Sequence, residues 1–306
     1  MTRPDASSGR VDREAVRSCL TRCQCIGRSL CPLLALPVIW LLRIAWPPSF
    51  VFRTERLAAG ALRPAASGPL RILHASDFHL NQGRLAVNRL RRVVAAARER
   101  GADLAVLTGD FELPTPAARR AEALELLSEL CRLMPVYACL GNHDYKVDHQ
   151  ELISDLRQAG VRLLVNEAVT VTVNSQELRL AGVGDFWKSD LAPEKCLSSK
   201  DVAEAWAMPT LLLVHNPDAI LLHLQKFAWT VAFSGHAHGG QFRMPFTNWY
   251  PLAPIRHNRL ARPGLHELAP GQTLCESAGV GNFLGIRINS PGDAVFLDIG
   301  GPESMN

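Results

Sequence analysis

Seven residues in this chain have side chains suited to holding divalent ions: Asp77, His79, Asp110, Asn142, His215, His236 and His238. Asp, Asn and His suit borderline or hard ions such as manganese, iron, zinc, nickel or cobalt. No Cys joins them, which argues against a structural zinc site of the cysteine type. Seven donors are too many for one ion that keeps a position open for substrate. They suit two ions with one carboxylate shared. Two ions roughly 3.5–4 Å apart clamp a phosphoryl group for in-line displacement and lower the pKa of a water between them.

The elements that must position these groups are readable from hydrophobic period. LRILHAS (70–76) predicts a buried strand and RLAVNRLRRVVAAARER (84–100) an amphipathic helix. Strands follow at 104–110 and 135–142, with helices near 115–133 and 147–159. Further strands are expected at 161–165, 168–173, 177–183, 210–215 and 229–236, with a short helix near 217–225. Strand-like stretches near 272–278 and 294–299 close the chain. Alternation followed by closely spaced strands predicts an α/β fold with mixed sheets. The polar residues fall just beyond successive strands, and open α/β sheets bind ligands outside the carboxyl ends of their strands.

Five blocks carry these residues: SDFHL (76–80), TGD (108–110), GNHD (141–144), His215 after LLLV, and GHAHGGQ (235–241). In type and order they resemble the calcineurin-like metallophosphoesterases. The resemblance spans about residues 70–300. It implies a four-layer αββα sandwich with two mixed sheets and two metal ions, manganese foremost. It also implies roles. Asp77, His79 and His238 would hold the first ion, and Asn142, His215 and His236 the second. Asp110 would bridge them, and a bridging hydroxide would attack phosphorus. His143 would act beside the metals, oriented by Asp144, and both are the expected catalytic residues. The family often has an acidic residue three positions after the second-block Asp. Here GDFEL places Glu112 two positions after Asp110, so Glu112 is left outside the metal shell.

GHAHGGQFRMP (235–245) and IRINSPGD (286–293) are similar to a membrane-associated branch of bacterial phosphodiesterases. That branch includes a UDP-2,3-diacylglucosamine pyrophosphohydrolase of lipid A synthesis. The implied reaction releases UMP and a lipid monophosphate. Two alternatives stay open: a phosphodiesterase for a soluble substrate such as a cyclic nucleotide, and a catalytically silent binding module. Asp185, in AGVGDFW, follows a strand and is expected either to line the site or to serve a turn. In FRMPFTNWYPLAPIRHNRL (242–260), aromatic residues including Trp249 alternate with Arg243, Arg256 and Arg259. This segment reads as an apolar wall with basic groups for substrate, or as a packing loop. Residues 186–209, with Trp187 and Trp206, are a second candidate lid. His74 reads as a core histidine, and His149, His223, His257 and His266 as surface or loop residues.

The N-terminal quarter differs. Residues 1–69 hold ten of the 33 basic residues, all Arg, and four of the 29 acidic ones. Their net charge is +6 and that of the remainder −2, within a formal +4 overall. This balance suggests anionic headgroups and excludes a nucleic-acid reading by charge. Residues 1–28 read as an Arg-rich tail, 29–52 as a hydrophobic membrane-anchor segment and 53–69 as a linker. Residues 70–306 read as the catalytic domain. Leu30 to Trp46 is at the lower length limit for a spanning helix, and an export signal or a soluble packing segment are its alternatives. The expected location is a bacterial inner membrane, on the cytoplasmic face if the lipid A reading holds. Cys19, Cys23, Cys25 and Cys31 are taken as plain thiols.

Overall fold

The computed structural model describes residues 50–58, 70–146, 149–201, 208–282 and 287–300. The chain opens with β1 (Phe50–Leu57) and β2 (Leu70–Ala75), then α1 (Arg84–Arg100) and β3 (Leu104–Thr108). Next come α2 (Ala117–Leu133), β4 (Val136–Cys139), α3 (His149–Gln158) and β5 (Arg162–Leu163). A second series follows: β6 (Glu167–Val173), β7 (Gln176–Gly182), β8 (Thr210–Leu213) and β9 (Val231–Ser234). The last strands are β10 (Gly264–Ala269), β11 (Gln272–Glu276) and β12 (Gly292–Ile299).

The strands form two six-stranded sheets, ordered β1-β12-β2-β3-β4-β5 and β10-β11-β9-β8-β7-β6. Both are mixed. β12 runs antiparallel to β2, whereas β2, β3, β4 and β5 are parallel. In the second sheet β7, β8, β9 and β11 are parallel, flanked by antiparallel β6 and β10.

Strand period separates the cores. In β3, Ala105 and Leu107 join the core under the helices, while Leu104 and Val106 face the second sheet. In β8, Leu211 and Leu213 lie between the sheets and Leu212 lies on the outer face. Burial on both faces explains the continuous apolar runs. α1 turns Val87, Leu90, Val93, Val94 and Ala97 toward the first sheet at helical spacing. It stops at Gly101, whose φ of 68° suits a glycine terminator.

Three expectations need correction. First, the linker reading fails at residues 53–57, because β1 pairs with β12 along its whole length. The same strand takes Phe50, Val51 and Phe52 from the expected anchor. Its Phe50 and Phe52 rings lie under the guanidinium groups of Arg92 and Arg100, and Arg53 pairs with Asp293 at 2.7 Å. The expected tail, the remaining anchor residues 29–49 and residues 59–69 of the linker lie outside the described residues. Among the described residues no helix is long and apolar enough to cross a membrane. Second, the fourth layer is not built of α-helices there. The outer face of the second sheet is covered by loops and by short helical turns at Pro193–Lys195, Ile220–Leu224 and Asn258–Ala261. Third, β10 was not anticipated; it is a short, partly exposed edge strand.

Candidate metal centre

The metal-donor residues occupy the turns that leave the strands. Asp77 and His79 follow β2, Asp110 follows β3 and Asn142 follows β4. His215 follows β8, and His236 and His238 follow β9. Five of the seven sit in left-handed backbone: Asp77 (φ 51°), His79 (44°), Asp110 (55°), His236 (64°) and His238 (52°). Such strain in non-glycine residues persists only where surrounding contacts impose it. Those contacts are visible. The Asp77 amide donates to the Gly109 carbonyl at 3.0 Å, and the His79 amide to the Asp110 carbonyl at 2.9 Å. Between the sheets, the His236 amide donates to the Asp77 carboxylate at 3.0 Å. Gly141 and Gly235 allow this approach, since a Cβ on Gly235 would stand 2.1 Å from Asp77 Oδ2.

The donors converge in two groups sharing Asp110. Ligand atoms of Asp77, His79, Asp110 and His238 all lie within 4.8 Å of one another. His79 Nε2 is 3.1 Å from His238 Nε2, and Asp77 Oδ1 is 3.3 Å from the same His238 nitrogen. In the second group His215 Nε2 lies 3.3 Å from Asp110 Oδ2 and 3.1 Å from Asn142 Oδ1. His236 Nδ1 lies 2.9 Å from the same Asn142 oxygen. The structure therefore brings together all seven predicted donors.

These residues fit divalent cations. His215 Nδ1 donates to the Thr108 carbonyl at 2.6 Å, so Nε2 of a neutral ring offers a lone pair. That lone pair faces two oxygen acceptors. His236 Nε2 and His238 Nδ1 are buried without a hydrogen-bond partner. The carboxylates draw protons onto two of the imidazoles, His79 and His215. Burial alone would lower the His215 pKa, but Asp110 and Asp77 push it well above the ordinary value. Burial likewise opposes ionisation of Asp110, yet His215 and His79 hold its pKa well below the usual range. Burial, with the charge of His215, pushes His236 down to about 3. A bound cation would balance the same carboxylates with no proton required.

His143 stands at the rim, partly exposed, with its amide donating to Asp110 Oδ1 at 2.8 Å. Asp144 does not orient its ring, which corrects the expected catalytic role. The buried Asp144 carboxylate accepts four backbone N–H groups: Asp110 and Gly141 on Oδ2, Phe111 and Glu112 on Oδ1. It is the keystone of the turn that carries Asp110. The residue beside His143 is Glu112, set outside the site by sequence reasoning. Its Oε1 lies 2.9 Å from His143 Nδ1, and its Oε2 bonds His79 Nδ1. A φ of 41° turns Glu112 back into the cluster. The only sequence signal for it was the displaced acidic residue in GDFEL. With Nδ1 fixed on a carboxylate, His79 directs Nε2 inward, as carboxylate partners do for metal-bound histidines. Lys146 Nζ lies 3.0 Å from Nδ1 and 3.1 Å from Nε2 of His143.

Asp185 is buried, with Oδ1 accepting from the Lys188 amide at 2.9 Å and Oδ2 unpartnered. Burial pushes its pKa up to about 6. Its charge is felt at His215, and Trp187 meets the His236 ring edge-on at 4.3 Å. Arg243 and Trp249, the other expected substrate-binding residues, lie in an exposed loop. Neither makes a hydrogen bond, ion pair or ring contact with the metal-donor residues among those described. Trp206 lies outside the described residues.

Two mixed sheets and a shared-carboxylate donor set at their strand ends define a class of enzyme. The chain belongs to the calcineurin-like phosphoesterases, whose family model matches residues 70–240. It is a hydrolase of phosphoric esters. It is similar to phosphodiesterase YaeI of Escherichia coli (strain K12), with 28% identity over 236 residues, covering 76% of this chain and 83% of YaeI. It is also similar to UDP-2,3-diacylglucosamine pyrophosphatase LpxG of Chlamydia trachomatis. That match has 27% identity over 324 residues and covers 87% of this chain and 94% of LpxG. An uncharacterized metallophosphoesterase of Aquifex aeolicus is 29% identical over 262 residues, covering 82% of this chain and 90% of that protein.

Proposed function

We propose that this enzyme cleaves a phosphodiester or pyrophosphate bond at a membrane surface, with a lipid-linked nucleotide such as UDP-2,3-diacylglucosamine as substrate. UMP and a lipid monophosphate would be the products, as in lipid A biosynthesis. The observation that carries the hydrolytic reading is the donor set, drawn from both sheets, with His143 beside it. Two divalent ions, manganese foremost, bound by Asp77, His79, Asp110, Asn142, His215, His236 and His238, would supply Lewis acidity and an activated water. Asp110 lies where both donor groups meet. His143, beside Glu112 and Lys146, would stabilise or protonate the leaving oxygen. Asp185, whose charge reaches His215, would line the cleft. The similarity to LpxG supports the lipid-linked substrate.

The test is release of UMP from UDP-2,3-diacylglucosamine by the purified chain with manganese. Folded protein that stays inactive on it across iron, zinc, nickel and cobalt as well would overturn the substrate. The similarity to YaeI favours a second reading, a phosphodiesterase on a soluble substrate with the membrane serving only location. Equal kcat/KM for acylated and water-soluble diesters, with and without detergent micelles, would select it.

A further inference from the structure

The loop that follows His238 carries its apolar groups outward on a fastened stem. Phe246 is 105% exposed, Trp249 55% and Leu252 52%. These are three of the seven exposed large hydrophobic residues among those described, and they lie within seven positions. A disordered loop is not the cause. At the stem, Tyr250 is buried against Gly240, its amide donates to Asn258 Oδ1 at 3.1 Å, and Asn258 Nδ2 donates back to its carbonyl. The buried Asp218 carboxylate accepts the amides of Arg256 and His257. At the tip, the Met244 amide donates to the Trp249 carbonyl at 3.1 Å, closing a turn. Phe246 sits in that turn at φ 61°, an unusual conformation for a bulky residue.

Charge identifies the occupant. Residues 241–266 include no Asp or Glu. Arg243, Arg256 and Arg259 are exposed, and no described carboxylate lies within ion-pair distance of them. A second copy of the chain would bring like charges together, which disfavours self-association. An apolar tip that holds Arg243 through the Thr247 carbonyl, on a stem that exposes Arg256 and Arg259, matches a bilayer interface with anionic headgroups, where Trp and Phe sit at headgroup depth. We infer that the loop 242–259 docks the catalytic domain on an anionic lipid surface, beside the metal centre, independently of residues 29–49. This deepens the proposed work at a membrane by assigning the surface that meets it.

Hydrogen–deuterium exchange on the full chain tests this, using phosphatidylglycerol or phosphatidylcholine vesicles. Exchange across 242–252 is expected to slow several-fold on phosphatidylglycerol vesicles and to stay at the free rate on phosphatidylcholine. Segment 84–100 should be unchanged on both. Phe246→Ser with Leu252→Ser should remove the protection. Arg256→Gln and Arg259→Gln should each weaken it about fivefold, the equivalent of one basic group near the surface. Unchanged exchange in 242–252 while the chain sediments with phosphatidylglycerol vesicles would overturn the inference. Equal protection on both vesicle types would exclude an anionic partner. Protection that grows with protein concentration without vesicles would assign the loop to a second copy. The readout is binding, so loss of the proposed hydrolysis and loss of docking are separately visible.

Discussion

Glu112 Oε1 lies 2.9 Å from His143 Nδ1, and the same carboxylate holds His79 through its other oxygen. One side chain thus sets the angle of both a metal donor and the proton-handling imidazole. Glu112→Ala is expected to lower kcat about 10–100-fold, the usual cost of losing a carboxylate behind a histidine. Glu112→Gln should recover part of this, because an amide oxygen still accepts from Nδ1. KM should move little. Wild-type turnover in Glu112→Ala on a water-soluble diester would remove this positioning role.

His143→Ala should keep its metal and lose about 10²–10⁴-fold in turnover, the range for a positioned acid or base. Metal content is checked by elemental analysis of the same sample. A variant with normal turnover would mean that another group stabilises the leaving oxygen.

Asp144 predicts a different phenotype from His143. Removing its carboxylate strands four backbone N–H groups in a buried turn. Each stranded group costs about 1–3 kcal/mol, so Asp144→Ala should lose about 3 kcal/mol or more in urea titration and weaken metal binding. Unaltered stability with a shifted pH–rate profile would restore it as the partner of His143.

His74 is fully buried between the sheets, with Nε2 2.9 Å from Thr108 Oγ1. Burial, reinforced by Arg53, pushes its pKa down to about 3. Its folded pKa is therefore below the unfolded value of 6.5. The unfolded chain takes up the proton first, so stability is intact above pH 6.5 and is lost as pH falls toward 3. Between pH 7.5 and 5.0 the loss from this group is about 2 kcal/mol. Urea midpoints of wild type and His74→Gln at both pH values check it; parallel losses in the two proteins would refute it.

Metal should stabilise the fold, since the donors pair carboxylates with imidazoles drawn from two sheets. Manganese at a hundredfold excess over its dissociation constant should add about 2.7 kcal/mol, read as a rise in Tm that a chelator reverses. Gly235→Ala should abolish that rise, because its Cβ would collide with Asp77 Oδ2. An undiminished rise in this variant would place the ions elsewhere.

The donor residues were legible because each directly follows a strand whose apolar run is unmistakable, as LLLV before His215. β1 was not, because FVFRTERL carries Arg53, Glu55 and Arg56 and so reads as a polar continuation, whereas the fold pairs Arg53 with Asp293 and Glu55. Glu112 escaped for another reason. Its contact with His143 joins two loops 31 positions apart, whereas Asp144 adjoins His143 in sequence. Adjacency suggested a partnership, while the backbone pointed the Asp144 side chain into the neighbouring turn.

β12 lies between β1 and β2, although it is the last described strand to be synthesised. Until residue 299 has left the ribosome, β2 keeps an open edge. The first sheet cannot close on the nascent chain, even with five of its six strands and all three described helices already translated. Its Asp293 also receives the Ser277 hydroxyl and the Ala278 amide in the loop beside the site. Hydrolytic competence is thereby postponed until β12 has been made. A prematurely terminated product would be born with an unfinished sheet and without a working centre.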